Sequence, residues 1–594
     1  TTIAAFLPLM AIGGKMGKVI YIFPVIVTAT LIASFFEATI ILPNHLAGGK
    51  PKKNKKMKKW FLNLQRFYKS LLKSALKYRY VVLLLFGGLL ILVLFVTQNT
   101  IKEFVLFFDD SSDQIYINLE APEGTTLEKT ENYTSKIENI VLDDIPENER
   151  VSLVSNIGHH TVKRLNSKGN HENWSQLVIN LVPVTERNRV ADEIIRELRK
   201  KINPDILTNF KNVSFEKKEM GPPTGKAVDI KIIYLNLKDG ISFQKNIQSF
   251  LSKIDGVYNI QNDMEEKEEE IKINFDYNEL ARLNLNVFNV ANTIRTAYQG
   301  TIATSLPTTS EDLDFRVKID ENFQKDIQFL KTLLIPNNQG RLIRLQQVAS
   351  IIKSKSQNTI NHYNGNRVIT ITAEVDPQKT TSRTVNKKLN KKFKKLAMQN
   401  KNIELVAGGE SKETRESLTG AVMALGLAAL LIYFLLVMLF NSMSQPFIIM
   451  LAIPFGIIGA LLAFYLHNIP LNFMGIIGMI GLSGVVVNDS VIMVEFINQV
   501  YKNNNNSNII NNIIEGAKQR LRPVILTTIT TVAGLIPTVY GIGGSATMIV
   551  PTVMAIAYGL LFATFVTLIF IPSIYMINID IKSFFNKLRK KIPV

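Results

Sequence analysis

The sequence contains no cysteine. That excludes a disulfide scaffold, a cysteine nucleophile, a thiolate zinc site and an iron–sulfur cluster. It says nothing of compartment. Methionine is sparse where a soft-metal path would need it, because residues 98–416 hold only Met220, Met264 and Met398. Acidic residues are scarce everywhere outside that stretch. Residues 98–416 carry 44 Asp+Glu and 45 Lys+Arg; the rest of the chain carries 5 and 23. Nearly all of the +19 net charge therefore flanks apolar segments and forms no patch on the polar block. Basic flanks are the cytoplasmic signature of membrane spans, and nucleic-acid binding is not expected.

What is present is apolar sequence in long uncharged runs. The 594 residues predict about four domain-sized units, and a hydrophobic content of 47% with such runs predicts a polytopic membrane protein. Hydropathy predicts seven or eight spans. Residues 1–12 are part of one, 19–43 make a second with Glu37 inside it, and 80–96 a third. Five more follow the polar block, at about 418–440, 446–466, 473–497, 523–542 and 549–577. Glu37 divides evenly between a packing and a functional role. The loop 44–80 holds 12 Lys+Arg and no acid, which marks it as cytoplasmic. Within it Trp60, Phe61, Leu64, Phe67, Tyr68, Leu71, Leu72 and Ala75 recur at helical spacing, predicting an interfacial amphipathic helix with lysines on its polar face. Counting outward, the polar block is extracytoplasmic. The loop with Lys502, Lys518, Arg520 and Arg522 returns to the cytoplasm, as does the tail with Lys582, Lys587 and Arg589.

The polar block mixes strand and helix patterns. Alternating stretches at 114–119, 176–182, 227–235, 270–275, 314–319 and 367–375 predict strands. Amphipathic runs at 126–141, 191–202, 241–254, 287–298 and 384–398 predict helices. Their order predicts small two-layer α+β sandwiches, not a Rossmann domain.

An internal repeat organises the spans. TTIAAFLP (1–8) matches TTVAGLIP (530–537). A glycine-rich break follows each copy: Gly13, Gly14 and Gly17, then Gly541, Gly543 and Gly544. A span then opens on Pro24 or Pro551 and closes on Pro43 or Pro572. A duplicated protein would place a polar block and three spans before each such hairpin. Only the second copy has them here, so the expectation is a chain whose amino-terminal half is missing. Repeat-built transporters place their coupling site at the repeat interface.

A charged residue inside a span defaults to function. The best candidate is Asp489 in GLSGVVVNDSVIMVEF, with Asn488 beside it. Removal from water penalises a carboxylate's charged form, so one at this depth can load and release a proton; the alternative is an Asp capping a broken helix. Glu495, six residues on, faces elsewhere and is expected to be structural. Gly475, Gly478, Gly481 and Gly484 recur every three residues before Asp489, predicting close approach of a neighbouring helix. Thr527, Thr528, Thr530 and Thr531 follow Arg520–Pro523 in sequence, and their hydroxyls can relay protons or satisfy backbone carbonyls. Two motifs are decoys. GPPTGKA (221–227) is one residue short of a phosphate loop and has Ala227 at the magnesium-binding position. His159, His160 and His171 lack a completing carboxylate or thiolate, so no metal is assigned. No cofactor is expected, and no enzymatic site is read.

These residues resemble the resistance-nodulation-division (RND) efflux permeases of the acriflavine-resistance type. The matching stretches are TTIAAFLPL, SFFEATIILPNHLA, LEAPEGTTLEKT, LVPVTERNRVADEIIRELRKKI, GPPTGKAVDI, the run from IDGV to FNVANTIRTAYQG, SMSQPFIIMLAIPFGIIGA, GVVVNDSVIMVEF and RLRPVILTT. The resemblance implies a pseudo-duplicated helical membrane fold with a periplasmic α+β porter and docking domain. Residues 1–97 would be spans five to seven with the basic linker 44–80. Residues 98–226 would be one porter subdomain; 227–269 and 351–416 would be two parts of another, with a docking subdomain at 270–350 between them. Residues 417–594 would be spans eight to twelve and the basic tail. It further implies a proton-driven homotrimer in the Gram-negative inner membrane, exporting small amphiphiles from the inner leaflet or periplasm. The implied partners are a periplasmic adaptor protein, an outer-membrane channel and the missing amino-terminal half. The implied proton relay is Asp489, Asn488, Thr527 and Arg520. The family's drug pumps carry a lysine where Asn488 stands, so a carboxylate–carboxylate or carboxylate–Asn relay fits better than their ion-pair switch. The drug pumps' switch loop maps to 158–173, which lacks their phenylalanines and predicts less aromatic substrates. Two other classes remain: a protein-translocation accessory of the same superfamily, opposed by the length of 98–416, and a degenerate, non-transporting half-pump.

Overall fold

The computed structural model describes residues 1–47, 59–98, 104–107, 112–122, 124–160, 171–184, 186–202, 204–218, 221, 225–264, 268–308, 312–320, 323, 327–356, 360–376, 379–503, 508–542, 544 and 547–589. They form two units: residues Thr1–Asn262 with Ile369–Val594, and residues Asp263–Val368.

Among the described residues, seven helices of the first unit are long and apolar enough to cross a membrane. They are α1 (Gly14–Ala47), α2 (Arg79–Val96), α3 (Gly409–Phe440), α4 (Ser444–Leu466), α5 (Phe473–Asn503), α6 (Ile509–Val539) and α7 (Val550–Phe585). A shorter apolar helix covers Thr2–Ala11 and tightens to a 3-10 turn over Leu7–Ala11, where Pro8 lacks the donor an α-helix needs. Helix α1 carries a single π turn at Glu37–Ile41, and Glu37 lies on its exposed side. The expected loop at Lys518, Arg520 and Arg522 is instead helical, because α6 begins well before residue 523 and runs through Pro523. The Asn508 side chain caps it by accepting from the Ile510 N–H at 3.1 Å. Ile513, Ile514, Ala517 and Leu521 then bury one stripe of it. The charges lower the average hydropathy of this stretch and conceal that stripe.

The expected amphipathic segment is the Lys59–Lys77 helix. It buries Phe61, Tyr68, Leu72, Ala75 and Leu76, and the Tyr68 hydroxyl donates to the Leu568 carbonyl of α7 at 2.8 Å. Arg79, opening α2, pairs with Asp580 of α7 at 2.5 Å.

The polar part of this unit holds two sandwiches of the same topology. In the first, strands β1 (Gln114–Glu120), β2 (Arg150–Ile157), β3 (Trp174–Leu181) and β4 (Asn212–Lys217) lie in the order β2-β3-β1-β4, all antiparallel. With helices Leu127–Asp144 and Ala191–Lys201 the chain order is β-α-β-β-α-β, the split βαβ arrangement. Alternation along β1 turns Ile115, Ile117 and Leu119 onto Ile137, Val141, Ile194 and Leu198 of the helices. The second sandwich repeats the pattern. Val228–Tyr234 lies between Asn366–Val375 and Ile403–Ala407, and Val257–Asn262 pairs with Asn366–Val375. Its helices are Leu237–Leu251 and Ser382–Gln399. The second unit falls in sequence between this sandwich's second and third strands. It pairs Glu268–Phe275 with Ala349–Ser356 and projects a hairpin of Thr301–Pro307 with Asp312–Val317. Its own core gathers Leu280, Val290, Ile335, Leu345 and Val348.

Candidate functional site

Helix α5 carries the candidate residues, and its glycines set how closely its neighbours come. At 3.6 residues per turn, a three-residue spacing rotates by about 60° each step, so the glycines wind around the helix and do not share one face. Each meets something different. A Cβ on Gly475 would lie 2.5 Å from the Phe464 ring of α4, and one on Gly478 would lie 2.6 Å from the Thr552 carbonyl oxygen of α7. Gly481 abuts the Phe6 ring, and a Cβ on Gly484 would lie 2.8 Å from the Ala5 Cβ, both on the Thr2–Ala11 helix. The four glycines therefore seat three neighbours.

Polar groups begin where the glycines stop. Asn488 is exposed, Asp489 half-buried and Ser490 buried. Arg520 of α6 is the cation in whose field Asp489 lies. Its guanidinium sits 4.7 Å over the Phe496 ring, and its buried Nε has no hydrogen-bond partner among the described residues. Thr527 is exposed and returns its hydroxyl to the Val524 carbonyl of its own helix at 2.9 Å. Asp489 thus lies in the field of Arg520, but among the described residues no hydrogen bond or ion pair within 4.0 Å joins the two. Asn488 and Thr527 lie on exposed surface, and among the described residues no hydrogen bond joins either to Asp489. Glu495 accepts from Gln499 at 3.1 Å.

Two features went unread in the sequence. Thr528 of α6 meets Thr564 of α7, hydroxyl to hydroxyl, at 2.7 Å, and Ser490 meets Thr567 at 3.4 Å. All four are buried. The spacing of Thr564, Thr567 and Ser573 along one span was the available signal. At the other end of α4, His467 Nε2 lies 3.3 Å from the Tyr540 hydroxyl and 3.4 Å from that of Tyr558, which are themselves 2.7 Å apart.

The decoys resolve structurally. Lys226, the lysine of GPPTGKA, bridges Glu216 at 3.0 Å and Glu374 at 2.6 Å. Burial alone would push its pKa down, but the two carboxylates outweigh that and hold it well above the usual lysine value. Residues 222–224 of that motif lie outside the described residues. His160 stacks on the Trp174 ring at 4.9 Å and His171 packs against it at 3.9 Å. Of the switch loop expected at 158–173, residues 161–170 lie outside the described residues. Among the described residues, no three His, Cys, Asp or Glu side chains cluster as metal ligands would.

Comparison with known proteins adds to this geometry. The family described as AcrB/AcrD/AcrF matches residues 1–578. Among curated proteins, the chain is 24% identical over 613 aligned positions to the swarming motility protein SwrC of Bacillus subtilis, covering 100% of this chain and 54% of SwrC. It is 23% identical to the multidrug resistance protein MdtC of Proteus mirabilis, covering 97% of this chain and 55% of MdtC. A solved heavy metal efflux pump superposes with a TM-score of 0.80 at 20% identity, over 97% of this chain and 56% of that one. The chain thus spans about half the length of the relatives it matches.

Proposed function

The chain belongs to the AcrB/AcrD/AcrF family, and from that premise we propose that it supplies spans and porter of a proton-driven efflux pump for small amphiphilic compounds. The observation that carries this reading is Asp489, a carboxylate in the interior of an apolar helix, in the field of Arg520. A carboxylate so placed changes charge when it takes a proton, and the change is felt by the neighbouring helix. The two α+β sandwiches supply the extracytoplasmic surface on which substrate is handled. The stretch 158–173 contains no phenylalanine, which favours substrates less aromatic than those of the drug pumps.

In this reading the protein is a multi-pass inner-membrane protein of a Gram-negative cell. It works as a homotrimer with a periplasmic adaptor and an outer-membrane channel. A further set of spans, the amino-terminal half of a longer polypeptide or a second chain, completes the relay. Support for that comes from α3 and α6, which leave most of their apolar windows uncovered, and from Asn488 and Thr527, which stand open. Such spans would bring a second polar group to Asp489.

The test uses the complete protein that contains this sequence, reconstituted into vesicles with a proton gradient. Gradient-driven export of a fluorescent amphiphile should fall to background in Asp489→Asn, while amphiphile binding without a gradient persists. Export by that variant with its gradient dependence intact sinks the relay assignment.

A further inference from the structure

We propose that the Lys59–Lys77 helix is a docking surface for anionic phospholipid headgroups. The inference stands apart from transport and rests on how the helix divides its surface. At 100° per residue, its side chains fall into three sectors. Phe61, Tyr68, Leu72, Ala75 and Leu76 share one arc and are buried against the bundle. Trp60, Phe67 and Leu71 share a second arc, about 80–100° around, and are exposed at 64%, 66% and 38%. Lys59, Arg66, Lys73 and Lys77 share a third arc and are exposed.

The bundle therefore holds only one of the two apolar arcs. The second offers an indole, a phenyl ring and a leucine to the outside, the composition of a surface that enters the acyl boundary. The cationic arc has no counter-ion of its own, since residues 44–80 include no Asp or Glu. Among the described residues no ion pair takes Lys59, Arg66, Lys73 or Lys77. The helix also adjoins a candidate span. It ends two residues before α2, and Arg79 at that junction is pinned to Asp580 of α7. An apolar flank beside a cationic flank, at the end of a span, fits a lipid with an acyl chain and an anionic head. A polyanion with no apolar part would leave Trp60 and Phe67 uncovered.

Each cation near an anionic surface contributes roughly a fivefold preference at low salt. Loss of four should reduce anionic-lipid retention tenfold or more.

Trp60 allows a direct test, because the chain has only one other tryptophan. That is Trp174, in β3 of the first sandwich. The complete protein carrying Trp174→Phe is placed in nanodiscs of phosphatidylcholine with or without phosphatidylglycerol. A spin label high on the acyl chain should quench Trp60, and more strongly when carried on phosphatidylglycerol. The variant Lys59→Gln/Arg66→Gln/Lys73→Gln/Lys77→Gln should lose that difference and co-purify with at least tenfold less phosphatidylglycerol. The control Lys387→Gln/Lys388→Gln/Lys394→Gln/Lys395→Gln, on the exposed face of a porter helix, should change neither readout. Equal retention of the two lipids, or a Trp60 that no lipid label reaches, overturns the proposal. Should the fourfold variant fail to fold, a salt titration of the unsubstituted protein decides. High salt should abolish the preference for phosphatidylglycerol, and a preference indifferent to salt overturns the assignment.

Discussion

Adding one methyl group at Gly478 should force two membrane helices apart. A Cβ there would lie 2.6 Å from the Thr552 carbonyl oxygen, 2.9 Å from the Thr552 Cα and 3.0 Å from the Ala555 Cβ. The first two obstacles are backbone atoms of α7, and no side-chain rotation moves them. Relief requires α5 and α7 to separate. A gap of about 0.5–1 Å forfeits a quarter to a half of the dispersion well of each contact along the seam, and overpacking of this kind costs about 1–3 kcal/mol. The same seam holds a buried hydrogen bond, donated by the Thr552 hydroxyl to the Met474 carbonyl at 2.8 Å. Its loss adds about 1 kcal/mol. Alanine recovers about 1 kcal/mol of helix propensity, so the net destabilisation is roughly 1–3 kcal/mol. Gly426 of α3 is the control, because a Cβ there meets nothing within 4 Å. Gly426→Ala should be neutral or stabilising by up to about 1 kcal/mol. The two variants are compared by thermal and denaturant unfolding of the complete protein in detergent. If Gly478→Ala unfolds no earlier than Gly426→Ala, the close seam between α5 and α7 is wrong.

Two further outcomes concern charged clusters of the porter. Arg189 donates to the buried Glu149 at 2.7 Å and to the Asp144 carbonyl at 2.9 Å, and it also pairs with Glu197; Arg189→Met should cost about 3–5 kcal/mol by leaving Glu149 uncompensated, read by the thermal transition. Burial alone would raise the Glu149 pKa, but the bonds and charge of Arg189 outweigh it and hold that carboxyl below its usual range. Its contribution is therefore present above the unfolded value of about 4.3 and lost as pH falls through the lower folded value, and the variant should lose that acid dependence. Lys226→Met should leave Glu216 and Glu374 facing one another without their shared cation and lower stability by a few kcal/mol, on the order expected for breaking a buried pair. Adding Glu374→Gln should restore part of the loss, and no recovery in the double variant would refute the bridge.

How much of this was legible depended on whether a residue's role was local. Strand β1 shows in the sequence because Ile115, Ile117 and Leu119 bury one face and leave the other polar. Edge strand β2 does not, because Val151 and Val154 are exposed and no face of Arg150–Ile157 is cleanly apolar. The matching segments TTIAAFLP and TTVAGLIP, identical at four of eight positions, adopt different forms. The first tightens to a 3-10 turn from Leu7, with Pro8 inside it, whereas the second stays α-helical through Pro537. Asp489 was visible because a carboxylate in a span is costly wherever it sits. The pairs Thr528–Thr564 and Ser490–Thr567 left only a weak signal, since a hydroxyl in a helix normally bonds its own turn, as Thr528 and Thr564 also do with Val524 and Leu560. Their second partner exists only once the helices are packed.

Packing and charge then meet on one helix. Up to Gly484, the backbone of α5 lies close against the Phe464 ring of α4, the Thr552 backbone of α7, and Phe6, Ala5 and Thr2 of the Thr2–Ala11 helix. Past Ser490 its buried residues are large, Met493, Val494 and Ile497, and the close approach passes to the partner, where Gly516 of α6 lies against the Ile497 backbone. Asp489 stands at the change from one mode to the other. Glycine seams are stiff because a shift of a few tenths of an ångström costs many contacts at once. In the proposed relay, a change of charge at Asp489 would be felt first across the contact of α5 with α6, where Arg520 lies, and only indirectly at the seats of Gly475, Gly478, Gly481 and Gly484. That asymmetry separates the roles of the two residue sets. Glycine substitutions should alter stability before coupling, whereas substitutions at Asp489 or Arg520 should alter coupling before stability.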